Sequence, residues 1–286
     1  MPHYATQINH PSPPRHRLHT PPPRSIAALT GGSALLAVAL MIAPGALAGL
    51  PGGRPADLPV ATQQAFIDYW RTGARQLTPE LGALVDYWQR FHLAKAGIGI
   101  ALVIALVLLT VAVTQRFLNS ESTRLRCAAG FCAVLGAGGA TAGAITLVAA
   151  NIQGAVAPLS SLLTFVSAGH ADPTLSPTID QLVTDLTNYH QPGHPSAPTA
   201  LLVADFARYH LAFASVSAVL TLLALLGALA AVRQMRRAKG SRRRWRVAGV
   251  GAATALMVTA CGALVCAANI SSAADSAPAL LLAFTG

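Results

Sequence analysis

Long apolar runs alternate with short polar segments along this chain. Five runs approach the roughly 20 residues that a hydrocarbon core requires. They are Ile26 to Leu50, interrupted by Pro44; Leu93 to Val113, with Lys95 as its one charge; Cys127 to Ala150; Leu211 to Val232; and Val247 to Ala268. Shorter helices are predicted between them. Val60 to Arg71 reads as amphipathic, and Thr78-Pro79-Glu80 is a helix start, with a capping hydroxyl, a proline at the first position and an acid near the positive end of the dipole. Nothing breaks the pattern afterwards, which predicts one helix from Pro79 to about Val113, projecting beyond the bilayer. Ser176-Pro177 starts another helix, with Ile179, Leu182, Val183 and Leu186 on one face. His190 to Pro198 reads as a proline-rich turn leading into the fourth span. The runs Leu159 to Leu163 and Ala279 to Leu282, each preceded by Ala-Pro, are too short to cross. They are expected along the outer interface or packed under the outer helices.

The pattern occurs twice. Arg90-Phe91-His92-Leu93-Ala94 returns as Arg208-Tyr209-His210-Leu211-Ala212, and Ala149-Ala150-Asn151-Ile152 as Ala267-Ala268-Asn269-Ile270, both 118 residues on. The expected fold is an all-α integral membrane protein. Its duplicated transmembrane hairpin forms a four-helix bundle, with an N-terminal span or signal peptide in addition. Residues 1–25 are expected to be a disordered cytoplasmic tail and 26–50 the first span or signal. Repeat one is 51–166, with its hairpin at 93–113 and 127–150; repeat two is 167–286, with 211–232 and 247–268. Gly130, Gly136, Gly138, Gly139 and Gly143 in the third span read as a surface for close helix approach.

Composition agrees with a membrane protein. The chain is 53% apolar and 10% charged, against about 25% charged in an ordinary soluble domain. A net charge of +10 raises nucleic-acid binding, but its distribution follows topology instead. With the N-terminus inside, the inner segments, including loops 114–126 and 233–246, hold 14 basic residues against Glu121 alone. The other side, comprising 51–92, 151–210 and the C-terminus, together with Lys95 just inside the second span, holds 6 basic and 9 acidic residues. That asymmetry orients the chain in a plasma membrane with its basic loops cytoplasmic. Ala46-Leu47-Ala48 has the small-x-small pattern of a cleavage site, so the first run reads either as a retained span or as a removed signal.

Candidate chemistry concentrates at the outer ends of the spans. Asp86 and Arg90 are spaced to share a helix face, as are Asp205 and Arg208. His92 and Asn151 fall at one depth of the first hairpin, and His210 and Asn269 at one depth of the second. This polar layer reads chiefly as helix-to-helix bonding, otherwise as a ligand or ion site; no nucleophile or metal spacing accompanies it. Trp70 and Trp88 read either as interfacial anchors or as a partner-binding surface. Cys127, Cys132, Cys261 and Cys266 read as small packing residues, and His190 with His194 is too little for a metal. The basic loop 233–246 suits anionic lipid headgroups or serves only as the orientation signal.

The segments Asp68-Tyr69-Trp70-Arg71, Asp86-Tyr87-Trp88 with Arg90-Phe91-His92, Ala150 to Pro158, and Asp205 to His210 resemble a group of uncharacterised actinobacterial multi-pass membrane proteins. The resemblance covers roughly residues 60–285. It implies the topology and no activity, catalytic residue, metal or cofactor. The expected role is a non-enzymatic envelope interaction or accessory protein, in contact with membrane lipids and a protein partner, with an oligomer allowed and no nucleic acid. The alternative is a small transporter or lipid-binding protein using the outer-leaflet His/Asn layer.

Overall fold

The computed structural model describes residues 21–49, 57–119, 124–168, 172–237 and 242–285. Most of the expected tail, Arg54, Glu121 and Lys239 lie outside the described residues. Among the described residues the chain is helical, with no strand. In chain order the helices are α1 Pro23–Ala48, α2 Leu58–Thr72, α3 Pro79–Asn119, α4 Arg124–Val156, α5 Pro158–Ser167, α6 Ser176–Thr187, α7 Ala197–Arg237, α8 Arg242–Ala274 and α9 Ser276–Thr285. Five of these (α1, α3, α4, α7 and α8) are long and apolar enough to cross a membrane.

Local chemistry explains where the long helices begin. The Thr78 hydroxyl accepts the Leu81 amide at 3.4 Å, and Glu80 occupies the first turn of α3. Ser196 does the same for α7, accepting the Thr199 amide at 3.4 Å. Beyond Pro79 and Pro198 in their first turns, neither helix contains a proline, and each runs for 41 residues. At about 1.5 Å per residue that is about 60 Å, twice the hydrocarbon core of about 30 Å. α3 forms as expected from Pro79 and continues past Val113 to Asn119.

The spans pack as α3 on α4 and α7 on α8; α1 lies along α3, and the two pairs join through α4 and α7. Leu40 of α1 packs with Leu102, Leu106 and Leu109 of α3 and Ala144 of α4. Elsewhere the spans turn their large side chains outward: Leu222, Leu223 and Leu264 are among the exposed ones. That is the pattern of surfaces solvated by lipid.

The remaining helices obey the opposite rule. α2, α5, α6 and α9, with the first turns of α3 and α7, form a cap with a hydrophobic interior. Phe66, Tyr69, Leu81, Val166, Leu175, Leu182 and Leu202 are each 0% exposed there. The two short apolar runs are α5 and α9. They are core elements of this cap, with Leu159, Leu163 and Val166 of α5 and Ala277, Leu280 and Phe284 of α9 buried. Burial pushes the Tyr69 phenol up to about 12, which keeps it neutral inside the core.

The glycines of α4 meet expectation in part. A Cβ on Gly130 would come 2.7 Å from Phe117 Cδ2 of α3, whereas one on Gly136, Gly138, Gly139 or Gly143 would meet nothing within 4 Å. α3 and α4 also approach closely at Gly99, where a Cβ would stand 2.8 Å from Val148 Cγ2.

These two burial rules predict opposite sensitivities. Leu182→Ala in the cap is expected to destabilise by about 2–5 kcal/mol, whereas Leu223→Ala on the lipid-facing side should change stability by about 0.5 kcal/mol or less. Thermal unfolding of the detergent-solubilised variants measures both.

Candidate functional site

The polar layer lies where α3, α4, α7 and α8 meet the cap. In the first pair, Asn151 donates through Nδ2 to the Leu147 carbonyl at 2.7 Å, which turns its Oδ1 toward α3. That oxygen lies 2.9 Å from His92 Nδ1. Because Oδ1 can only accept, His92 carries its proton on Nδ1 and presents Nε2 as an acceptor. Nε2 lies 3.2 Å from Ser161 Oγ on α5, so the hydroxyl donates to it. Trp88 Nε1 in turn donates to the same Oγ at 3.0 Å. The bonds therefore run in one direction, from Trp88 through Ser161, His92 and Asn151 to a backbone carbonyl.

The second pair repeats the centre and omits the ends. His210 Nδ1 lies 2.8 Å from Asn269 Oδ1, and Asn269 Nδ2 donates to the Val265 carbonyl at 2.8 Å. Phe206 stands at the position corresponding to Trp88, and the run after Ala277-Pro278 that echoes Ser161's is Ala279-Leu280-Leu281, so neither can extend the chain.

The two acid–base pairs diverge. Asp205 bonds Arg208 at 3.0 Å. Its other oxygen accepts both the amide and the hydroxyl of Ser160 at 2.8 Å. A carboxylate 5% exposed is thereby matched at the N-terminus of α5, where free amides and the dipole favour it. Asp86 does not pair with Arg90. It is exposed, while Arg90 Nε donates to the Ala48 carbonyl at 3.0 Å, at the C-terminus of α1. A helix end offers unsatisfied carbonyls, and a nearby guanidinium is drawn to them over a solvated carboxylate four residues away.

The two tryptophans also separate. Trp88 is half-buried: it stacks on Phe91 at 4.9 Å and meets Phe165 edge-on at 5.5 Å. Trp70 stacks on Phe66, donates to Gln181 Oε1 at 2.8 Å, and borders a cleft of about 420 Å³ with Asp180, Thr184, Asp185 and Ser196. Asp185 anchors the turn before α7. Burial raises its carboxyl, but bonds from Ser196, Thr199 and His194 outweigh this and hold it below its usual 3.8.

Sequence reasoning expected no nucleophile beside His92, and Ser161 corrects this. Its place in the echoed Ala-Pro segment was the available signal. Serine, histidine and asparagine here follow the order of a nucleophile, base and orienting group. The surroundings are those of a packing contact. A Cβ on Gly154 would lie 2.6 Å from His92 Nε2, and the Trp88 ring covers the His92 edge with centroids 4.9 Å apart. None of the four cysteines forms a disulfide, and among the described residues no three His, Cys, Asp or Glu side chains are grouped to hold a metal. Compared with protein-family models, curated proteins and solved structures, the chain matches none.

Two outcomes are expected. His92→Ala breaks two side-chain bonds and His210→Ala one, so the first should lose about 1–3 kcal/mol and the second less; thermal unfolding in detergent ranks them. Asp185 has a lowered folded-state pKa, so its stabilisation is complete above the unfolded value near 3.8 and fades as pH falls through the lower folded one. Asp185→Asn should therefore melt earlier than wild type at neutral pH, with the gap closing below about pH 4.

Proposed function

We propose that this chain is a non-enzymatic interaction protein of the cell envelope. Its spans hold a folded cap at the membrane surface, and the cap binds a protein partner through the cleft beside Trp70. The observation that carries this reading is the internal use of the polar layer. Asn151, Asn269, His92 and Asp205 spend their hydrogen bonds on one another, on Ser160 and Ser161, and on backbone carbonyls. A polar surface left for recognition is the cleft formed by Trp70, Asp180, Gln181, Thr184 and Asp185.

The topology belongs to the same proposal. The basic loops 114–126 and 233–246 face the cytoplasm, and the cap lies outside a plasma membrane. Charge distribution supports this: the cap carries most of the acids. The two helix pairs derive from a duplicated hairpin and form the four-helix platform. Equal lengths support this, 41 residues for α3 and α7 and 33 for α4 and α8. α1 is retained as a fifth span, supported by the bond from Arg90 to Ala48 and the packing of Leu40. The actinobacterial group resembled above provides the family setting, and nucleic acid has no part in the role.

One observation favours the transport or lipid-binding reading. His210 makes its one described hydrogen bond through Nδ1, leaving Nε2 without a described partner. Cross-linking at native abundance, followed by mild-detergent purification and mass spectrometry, decides between the two. Interaction predicts a stoichiometric protein that Trp70→Ala releases while the cap still melts normally. Trp88→Ala should instead lower the melting temperature. A purified protein that carries no partner, and whose uptake activity His210→Ala abolishes, would overturn the proposal.

A further inference from the structure

At the end of the spans opposite the cap, α3, α4, α7 and α8 diverge around a cavity of about 940 Å³. Phe117, Phe131, Trp245 and Val250 form its apolar walls, and Arg242 and Arg246 stand at its margin. The two arginines are four residues apart in the first turns of α8, so they share one helix face. Phe131, Trp245 and Val250 are 39%, 52% and 45% exposed, at the ends of two helices long and apolar enough to cross a membrane.

Charge at this end is one-sided. The described residues of 114–130 and 231–250 include no Asp or Glu, and the first turn of α8 carries no acid. The arginines thus stand at the positive end of a helix dipole, where cations are disfavoured and an anion is favoured. A soluble anion would answer the charge and leave the apolar walls unfilled. A second copy of this chain would bring arginines against arginines. A lipid with an anionic headgroup satisfies both features, with its phosphate at the guanidiniums and an acyl chain along the aromatic walls.

We propose that this cavity is a binding site for an anionic phospholipid, with Arg242 and Arg246 as its headgroup ligands. The proposal does not depend on what the cap binds.

The test uses the full-length protein in nanodiscs of equal phosphatidylglycerol and phosphatidylcholine, released into detergent for native mass spectrometry. Wild type should retain phosphatidylglycerol over phosphatidylcholine by about tenfold. Arg242→Gln with Arg246→Gln should remove that preference. Arg233→Gln with Arg236→Gln deletes as much charge from outside the cavity lining and should keep it. Ala253→Trp, which fills the cavity without changing charge, should reduce retention several-fold while the cap melts as in wild type. The proposal fails if wild type shows no preference, or if the control pair loses as much as the test pair. It also fails if Ala253→Trp retains lipid fully, or if soluble glycerol phosphate displaces the lipid.

Discussion

Where the spans run into the cap, a polar side chain has little water to bond and lipid offers none. That constraint shapes the centre of the molecule. Each asparagine is fixed by a carbonyl of its own helix and turned toward a histidine on the neighbouring helix. Unbonded, either group would cost a few kcal/mol at such a site. Bonded, the pairs hold α3 to α4 and α7 to α8 at a fixed register, and the cap is assembled on that register.

α5 shows how the two halves become one structure. It belongs to the first half by sequence, yet its N-terminus is satisfied by Asp205 of the second. Its other contacts return to the first half: Ser161 to Trp88 and His92, and the Phe165 carbonyl to Gln63. Ten residues thus touch α2, α3, α4 and α7. The halves share a plan and differ in use. Trp88 and Ser161 extend the first hydrogen-bonded chain, while Phe206 and the apolar run after Pro278 end the second early.

The membrane-crossing helices were legible because length and hydropathy alone define them, and α3 because Thr78, Pro79 and Glu80 mark its start and nothing interrupts it. The role of α5 was not legible: a short, mostly apolar helix looks the same whether it lies on a bilayer or fills a core. Same-helix spacing also misled at Asp86 and Arg90. It measures which neighbours are near, and Arg90 found a better acceptor 42 residues earlier in the chain. Gly136, Gly138, Gly139 and Gly143 of α4 misled for a related reason, since a small residue permits close packing without supplying a neighbour to pack against. Trp88 and Ser161 became visible as partners only once α5 was placed beside α3.

The 41-residue helices α3 and α7 have a mechanical consequence. Each is a single unjointed rod with one end built into the cap and the other beside the arginine-lined cavity. No proline or break offers a hinge between them. A tilt imposed at one end is carried along the rod to the other. The molecule therefore has a built-in lever between its cap and its arginine-lined end.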